Sequence, residues 1–305
     1  MTAEQRSPQV RRELLIGLVW VTAIAVIWSA FHLSGRLAAQ YTLTPFDLTT
    51  LRVCVAGTIF LPWLLRNGLG GMRFWQALLL ALSAGPGFSV FAFGGYLFAP
   101  AAHGATILAG TLPLFTAPLA WWLVGERVNP IRAASITVIF AGAMLLLLDA
   151  TGVGQANQWI GDLSFFVGAA SWSLFGVLAR KWQVTPLRSA AIVATFTFVI
   201  FTPVHLLFLP SGLFDAPWQE IGAQWVFQGV IVFFGSTFGY TRAVAALGAT
   251  PTATVVAVVP AAVALLAWLV LDEPLSLIAT IGVVLVVIGM MTSGLRGPRK
   301  AMAAD

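Results

Sequence analysis

Polar side chains inside long apolar runs are the residues of this 305-residue chain that could do chemistry, because each is costly to keep from water without a partner or a task. They are few. His32 follows Trp28 by one helical turn on the same face, and is expected as a neutral structural histidine slightly ahead of a proton-coupling one. Arg36 lies one further turn along and Arg180 ends a later run, both in positions that suit a gate or headgroup anchor. Arg52 stands about one and a half turns into the second run. An ion pair with Asp47 or Asp162 is expected to neutralise it, ahead of the alternative that it meets a carboxylate on a bound molecule. No Asp or Glu occupies the middle third of any apolar run, and His103, His205 and the acids show no spacing that would build a nucleophile, paired acids or a metal cluster. The chemistry implied is non-covalent recognition, with no catalytic residue, metal or cofactor. The single cysteine, Cys54, excludes an internal disulfide framework.

Aromatic rings and helix breakers supply the rest of a candidate binding site. Trp28 and Trp172 sit at equivalent depths in their runs, where symmetric indoles could wall a central pocket and each buried N–H needs an acceptor. Phe88 and Phe91, three residues apart, follow Gly85-Pro86-Gly87, a sequence that permits a bend. Phe175, Tyr96 and Tyr240 are further lining candidates. Pro113 and Pro260 fall at the centres of two runs, where each frees a carbonyl one turn earlier that could face a cavity or merely kink the helix.

The elements that must hold these residues follow from composition. With 16 basic and 11 acidic residues against 59% hydrophobic, the chain lacks the charge a soluble surface requires. Lipid is therefore its main solvent. The net charge of +5 does not point to nucleic acid, because the basic residues lie between apolar runs instead of in a patch. Runs long enough to cross a bilayer fall near 14–38, 46–65, 74–98, 104–124, 131–149, 159–179, 188–209, 222–245, 250–271 and 275–294. The fold class expected is an all-α membrane protein of ten transmembrane helices. The first run has no small-residue cleavage site before Arg36, so it is expected to be a retained span. With the N-terminus inside, 14 of the 16 Lys and Arg residues fall on the inner side, which predicts cytoplasmic termini at both ends.

The chain also repeats itself. Trp28-Ser-Ala-Phe31…Arg36 aligns with Trp172-Ser-Leu-Phe175…Arg180 at an offset of 144, and Gly95-Tyr96 with Gly239-Tyr240 at the same offset. At an offset of 147, Pro113 pairs with Pro260, Trp121 with Trp268, Glu126 with Glu273 and Gly142 with Gly289. Five spans per copy is an odd number, so the second copy must cross in the opposite sense. Inverted five-helix repeats are the architecture of alternating access. The division expected is an inner tail over 1–13, a first repeat over 14–149, an outer linker over 150–158, a second repeat over 159–294 and an inner tail over 295–305. Gly235-Ser-Thr-Phe-Gly239 suits close helix packing inside the chain as readily as a dimer contact.

These residues resemble the drug/metabolite transporter superfamily in its EamA-type ten-helix branch. The resemblance is carried by Trp28-Ser-Ala-Phe31, Leu51-Arg52-Val53, Tyr96, Leu112-Pro113-Leu114, Ala120-Trp-Trp-Leu-Val-Gly-Glu-Arg127 and Gly142. In the second half Tyr240, Val259-Pro260, Leu266-Ala-Trp268 and Asp272-Glu273-Pro274 carry it, so that it spans about residues 14–294. Asp272 departs from the Gly125 of the first copy without consequence for the fold. The resemblance implies a carrier most like the amino-acid exporters, including those of aromatic amino acids. A weakly charged cavity fits that cargo, because a transported cation would need a buried counter-charge. The expectation is a multi-pass protein of the bacterial cytoplasmic (inner) membrane, a monomer whose partners are a small-molecule substrate and membrane lipid. A broad-specificity efflux carrier is the runner-up, and a passive channel ranks below it.

Overall fold

Prolines and glycines set where helices begin and break in this computed structural model, which describes residues 8–126, 128–151 and 157–294. The rest of both tails, most of the expected outer linker, and Arg127 lie outside the described residues, and with them Arg6, Arg296, Arg299 and Lys300. The helices are α1 (Pro8–Ala38), α2 (Pro45–Asn67), α3 (Phe74–Ala84), α4 (Pro86–Gly95), α5 (Ala101–Gly110), α6 (Leu112–Val124), α7 (Pro130–Thr151) and α8 (Gln158–Lys181). They continue with α9 (Pro186–Phe208) and α10 (Trp218–Leu247), then α11 (Ala249–Val256), α12 (Val259–Leu271) and α13 (Leu277–Gly294). Pro45, Pro86, Pro130 and Pro186 each occupy a first helical position, where the missing N–H is no loss and φ is already helical. No strand occurs among the described residues.

The fold is an all-helical, multi-pass membrane architecture. Among the described residues nine helical segments are long and apolar enough to span a bilayer, and the apolar helix Leu277–Ser293 is shorter. Three spans are broken internally. Gly85, at ψ −107°, separates α3 from α4; Thr111 separates α5 from α6 next to Pro113; and Ala257 and Val258 separate α11 from α12 next to Pro260. Gly125 and Asp272, equivalent by the offset, both end their helices in the left-handed conformation, so the substitution leaves the cap intact. Spans α9 and α10 contain π-helical turns at Thr197–Phe201, Trp225–Val232 and Gly235–Gly239.

Packing is reciprocal between the two halves. Helix α1 lies against α10 and α12 of the second half, while α8 lies against α4 and α6 of the first. The second helices of each half, α2 and α9, pack on each other, as do the last, α7 and α13. Along α7 and α13 the backbones touch. A Cβ on Gly142 would sit 2.6 Å from the Gly282 carbonyl oxygen, and one on Gly282 would sit 2.8 Å from that of Gly142. Gly142→Leu is accordingly expected to destabilise the protein by about 1–3 kcal/mol, the usual penalty of overpacking. Thermal unfolding in detergent checks this, and an unchanged midpoint would show that the two helices separate freely. Gly235 and Gly239 face Ile27 and Ile24 of α1, so the small-residue motif serves packing within the chain.

Candidate functional site

A cavity lies where the two halves meet. Its first part, about 120 Å³, is walled by Trp28, Phe31 and His32 of α1, Arg52 of α2, Phe88 of α4, Leu108, Ala109 and Leu112 around the α5/α6 break, Trp172 of α8, and Val232 and Ser236 of α10. A larger part, about 400 Å³, shares Trp28, Arg52, Leu112, Trp172, Val232 and Ser236. It extends past Phe175, Ser189 and Thr237 to Tyr240 and Thr241. The helix breaks are what make room. Gly85 lets α4 turn Phe88 inward, and Pro113 has no N–H to give to the carbonyl of Ala109, which lines the first part. Opposite them, π turns in α10 present Val232 and Ser236. Such turns widen a helix at the point where it meets a site.

The walls are rings with polar edges. Trp28 stacks on Tyr240 at 5.9 Å between centroids and an angle of 14°, and its Nε1–H donates to Ser236 Oγ at 3.0 Å. Trp172 packs at 4.9 Å on Phe88 and 5.4 Å on Phe175. The Arg52 guanidinium lies 5.3 Å from the Phe31 ring centroid and 5.7 Å from that of Phe88. No acidic side chain among the described residues lines either part. Among the described residues no group of three His, Cys, Asp or Glu side chains is close enough together to hold a metal ion.

Of the residues expected from sequence, Trp28, His32, Phe88, Arg52, Trp172, Phe175 and Tyr240 come together around the cavity. Four others do not line it. Phe91 is 40% exposed on the outside of the bundle, because three residues of helix leave a net rotation of roughly 60° from Phe88. Tyr96 is fully buried behind the wall, where its hydroxyl hydrogen-bonds His32 Nδ1 and its ring packs on Phe165 at 4.8 Å. Pro113 and Pro260 sit at the first turns of α6 and α12, where they set the breaks without lining the space. Sequence reasoning missed Phe31, although the offset that singles out Phe175 pairs it with Phe31. It also missed Ser236, whose hydroxyl in an apolar span was the acceptor that Trp28 needed.

The expected pairing of Arg52 with Asp47 or Asp162 is corrected. Asp47 Oδ2 accepts from the Thr44 N–H, the Thr44 hydroxyl and the Gly212 N–H, each at 2.8 Å. Its Oδ1 accepts from the Ser211 hydroxyl at 2.7 Å and lies 3.0 Å from His205 Nε2. Asp162 is taken by His103 at 3.0 Å. Both carboxylates are filled close to their own helix starts, and Arg52 Nη1 is buried without a hydrogen-bond partner.

Arg36 and Arg180 occupy equivalent ends of the bundle. Arg36 Nε meets Glu273 Oε1 at 2.6 Å and its Nη1 donates to the Tyr96 carbonyl at 2.6 Å; Glu273 Oε2 accepts from the Ala101 N–H at 3.1 Å. Arg180 meets Glu126 at 2.8 Å, which also receives Arg132 at 3.1 Å. Each arginine thus reaches the glutamate of the other half. The first pair is nearly closed from solvent, at 11% and 15% exposure, whereas the second stands at 49% and 30%.

A multi-pass helical bundle with an aromatic cavity between two repeated halves defines a membrane transporter. The chain belongs to the EamA-like transporter family, matching it twice, over residues 15–148 and 159–295. It is similar to an uncharacterised transporter of Clostridium kluyveri, 24% identical over 289 residues, 90% of this chain and 91% of the relative. It is also similar to the aromatic amino acid exporter YddG of Ancylobacter novellus, 28% identical over 214 residues, 68% of this chain and 71% of the relative. A protein crystal structure, 24% identical, covers 92% of this chain and 96% of its own with a TM-score of 0.57, a likeness of fold.

Proposed function

We propose that this transporter exports small metabolites, foremost amino acids with apolar or aromatic side chains, by alternating access across a bacterial cytoplasmic membrane. The observation that carries the proposal is the cavity of stacked rings and hydroxyls with no acidic wall, which suits a planar apolar body and disfavours a bare cation. The similarity to an aromatic amino acid exporter agrees with it. Alternating access rests on ten spans in two inverted repeats with both termini cytoplasmic, a reading supported by the doubled sequence and the reciprocal packing of α1 and α8. Arg36 with Glu273 and Arg180 with Glu126 act in it as the two gates. Leu277–Ser293 provides the tenth span at the lower end of the roughly 17–25 residues needed.

Purified protein in liposomes is expected to move labelled tryptophan or phenylalanine. Trp172→Ala should lower that flux about tenfold, the value of one lost ring contact, with unfolding unchanged within a few degrees. Full flux in the variant, or none for any amino acid in the wild type, defeats the proposal. Preferential movement of organic cations in a competition panel would replace it with broad-specificity efflux.

A further inference from the structure

The geometry points to Arg52 as the recognition residue for a carboxylate on the cargo, so that this cavity selects planar apolar acids and amino acids over the matching amines. The inference rests on the proposal that the cavity carries cargo, and adds which end of the cargo is read and by which atom. Arg52 borders both parts of the cavity. Its guanidinium lies over the faces of Phe31 and Phe88, and its Nη1 is buried with no hydrogen-bond partner. The two acids that could have neutralised it are committed elsewhere, Asp47 to Thr44, Ser211, Gly212 and His205, and Asp162 to His103.

A cation held within a bilayer normally has a counter-charge, because isolation there is expensive. The flat guanidinium fork matches a carboxylate with two parallel hydrogen bonds, and its place against the stacked Phe31 and Phe88 rings limits how it can turn. The body of the cargo then falls against Trp28 and Trp172. An α-ammonium meets neutral hydroxyls within the cavity, those of Ser189, Ser236, Thr237, Tyr240 and Thr241 among them, and no acid among the described residues lines it. The carboxylate is therefore required and the ammonium merely tolerated. A free amino acid and a simple aromatic acid present the same recognised group, and the probes separate them.

The test is calorimetric binding to the purified full-length protein, using tryptophan, indole-3-propionate, which lacks the amine, and tryptamine, which lacks the carboxylate. A hydrogen-bonded charge pair is worth about 10- to 100-fold in affinity. Wild type is expected to bind the two acids tighter than tryptamine by that factor. Arg52→Gln should lose the same factor for the acids and none for tryptamine, and Arg52→Lys should recover part of it. Removing an uncompensated cation should leave the unfolding midpoint of the ligand-free Arg52→Gln protein equal to wild type or above it. A marked fall in that midpoint would make Arg52 structural and overturn the assignment. So would equal binding of tryptamine and tryptophan, or acid affinity unchanged in Arg52→Gln. Tryptophan flux that ignores Arg52→Gln sinks the assignment and leaves the amino-acid proposal standing. Binding of indole-3-propionate without tryptophan does the reverse, and absence of binding by all three sinks both.

Discussion

Asp47→Ala is expected to cost about 2–4 kcal/mol of stability, because it strips the shared acceptor from several buried donors at once. The carboxylate is fully buried, and it forms the capping box that starts α2 with Thr44. It also ties down the Ser211–Gly212 turn and faces His205 of α9. The alanine variant would leave a helix N-terminus and a loop N–H without their acceptor, and a fully buried histidine without the carboxylate it faces. Losing the cap alone accounts for about 1 kcal/mol, so a larger loss identifies the connection between α2, α9 and the loop as the main term. Asp47→Asn keeps one acceptor oxygen in place and is expected to lose less. Denaturant unfolding in mixed micelles measures both. A loss below about 1 kcal/mol for Asp47→Ala would mean that the cluster contributes only its cap.

The distinction between Asp47 as an anchor and as an Arg52 partner marks where sequence reading ended. Hydropathy gives the nine long apolar helices of the described residues because that signal is local. Doubled residues give the wall positions Trp28, Trp172 and Phe175 because two copies of one unit must meet across a shared axis. Gly85-Pro86-Gly87, Pro113 and Pro260 announce breaks in helices for the same local reason, but whether a proline lines a cavity or stands behind it depends on helix rotation, and both prolines stand behind. Pairings between distant charges are a different matter. Asp47 and His205 are 158 positions apart, and nothing along the chain selects that histidine over an arginine five residues away. The same holds for Arg36 and Glu273. The offset identifies Arg36 with Arg180 and Glu126 with Glu273, yet the crosswise partnership follows only from the packing of α1 on the second half and α8 on the first.

Glu273→Gln is expected to shift the protein toward a state open at the Arg36 end by about 10- to 100-fold, with loss of net transport. The two equivalent pairs are unequally buried. At 11% and 15% exposure, Arg36 and Glu273 form a charged hydrogen bond shielded from water, the kind worth about 1.5–3 kcal/mol. Glu273 also accepts the first N–H of α5, so it fastens α1 and α5 at one end of the cavity. Arg180 and Glu126 are half-exposed, where an ion pair contributes roughly 0–1 kcal/mol. The cavity meanwhile reaches toward Tyr240, Thr241 and Pro186, at the end opposite Arg36. One ion pair is therefore tight and its repeat equivalent loose, and under the proposed alternating access a second conformation exchanges those conditions. Removing the glutamate charge withdraws its energy from the closed side alone, and a ligand-free equilibrium moves by that difference. Leu112 lines both parts of the cavity and is partly exposed, so Leu112→Cys in a Cys54→Ala background reports access to it. With the Arg36 end facing outward, as proposed, labelling of that cysteine by an impermeant maleimide added outside intact cells should rise about tenfold or more with Glu273→Gln and change little with Glu126→Gln. If the pair acts as a unit, Arg36→Gln combined with Glu273→Gln should label no faster than the more affected single variant. Additive effects, or unchanged labelling in Glu273→Gln, would remove the pair from the gate and leave it as a fastening of α1.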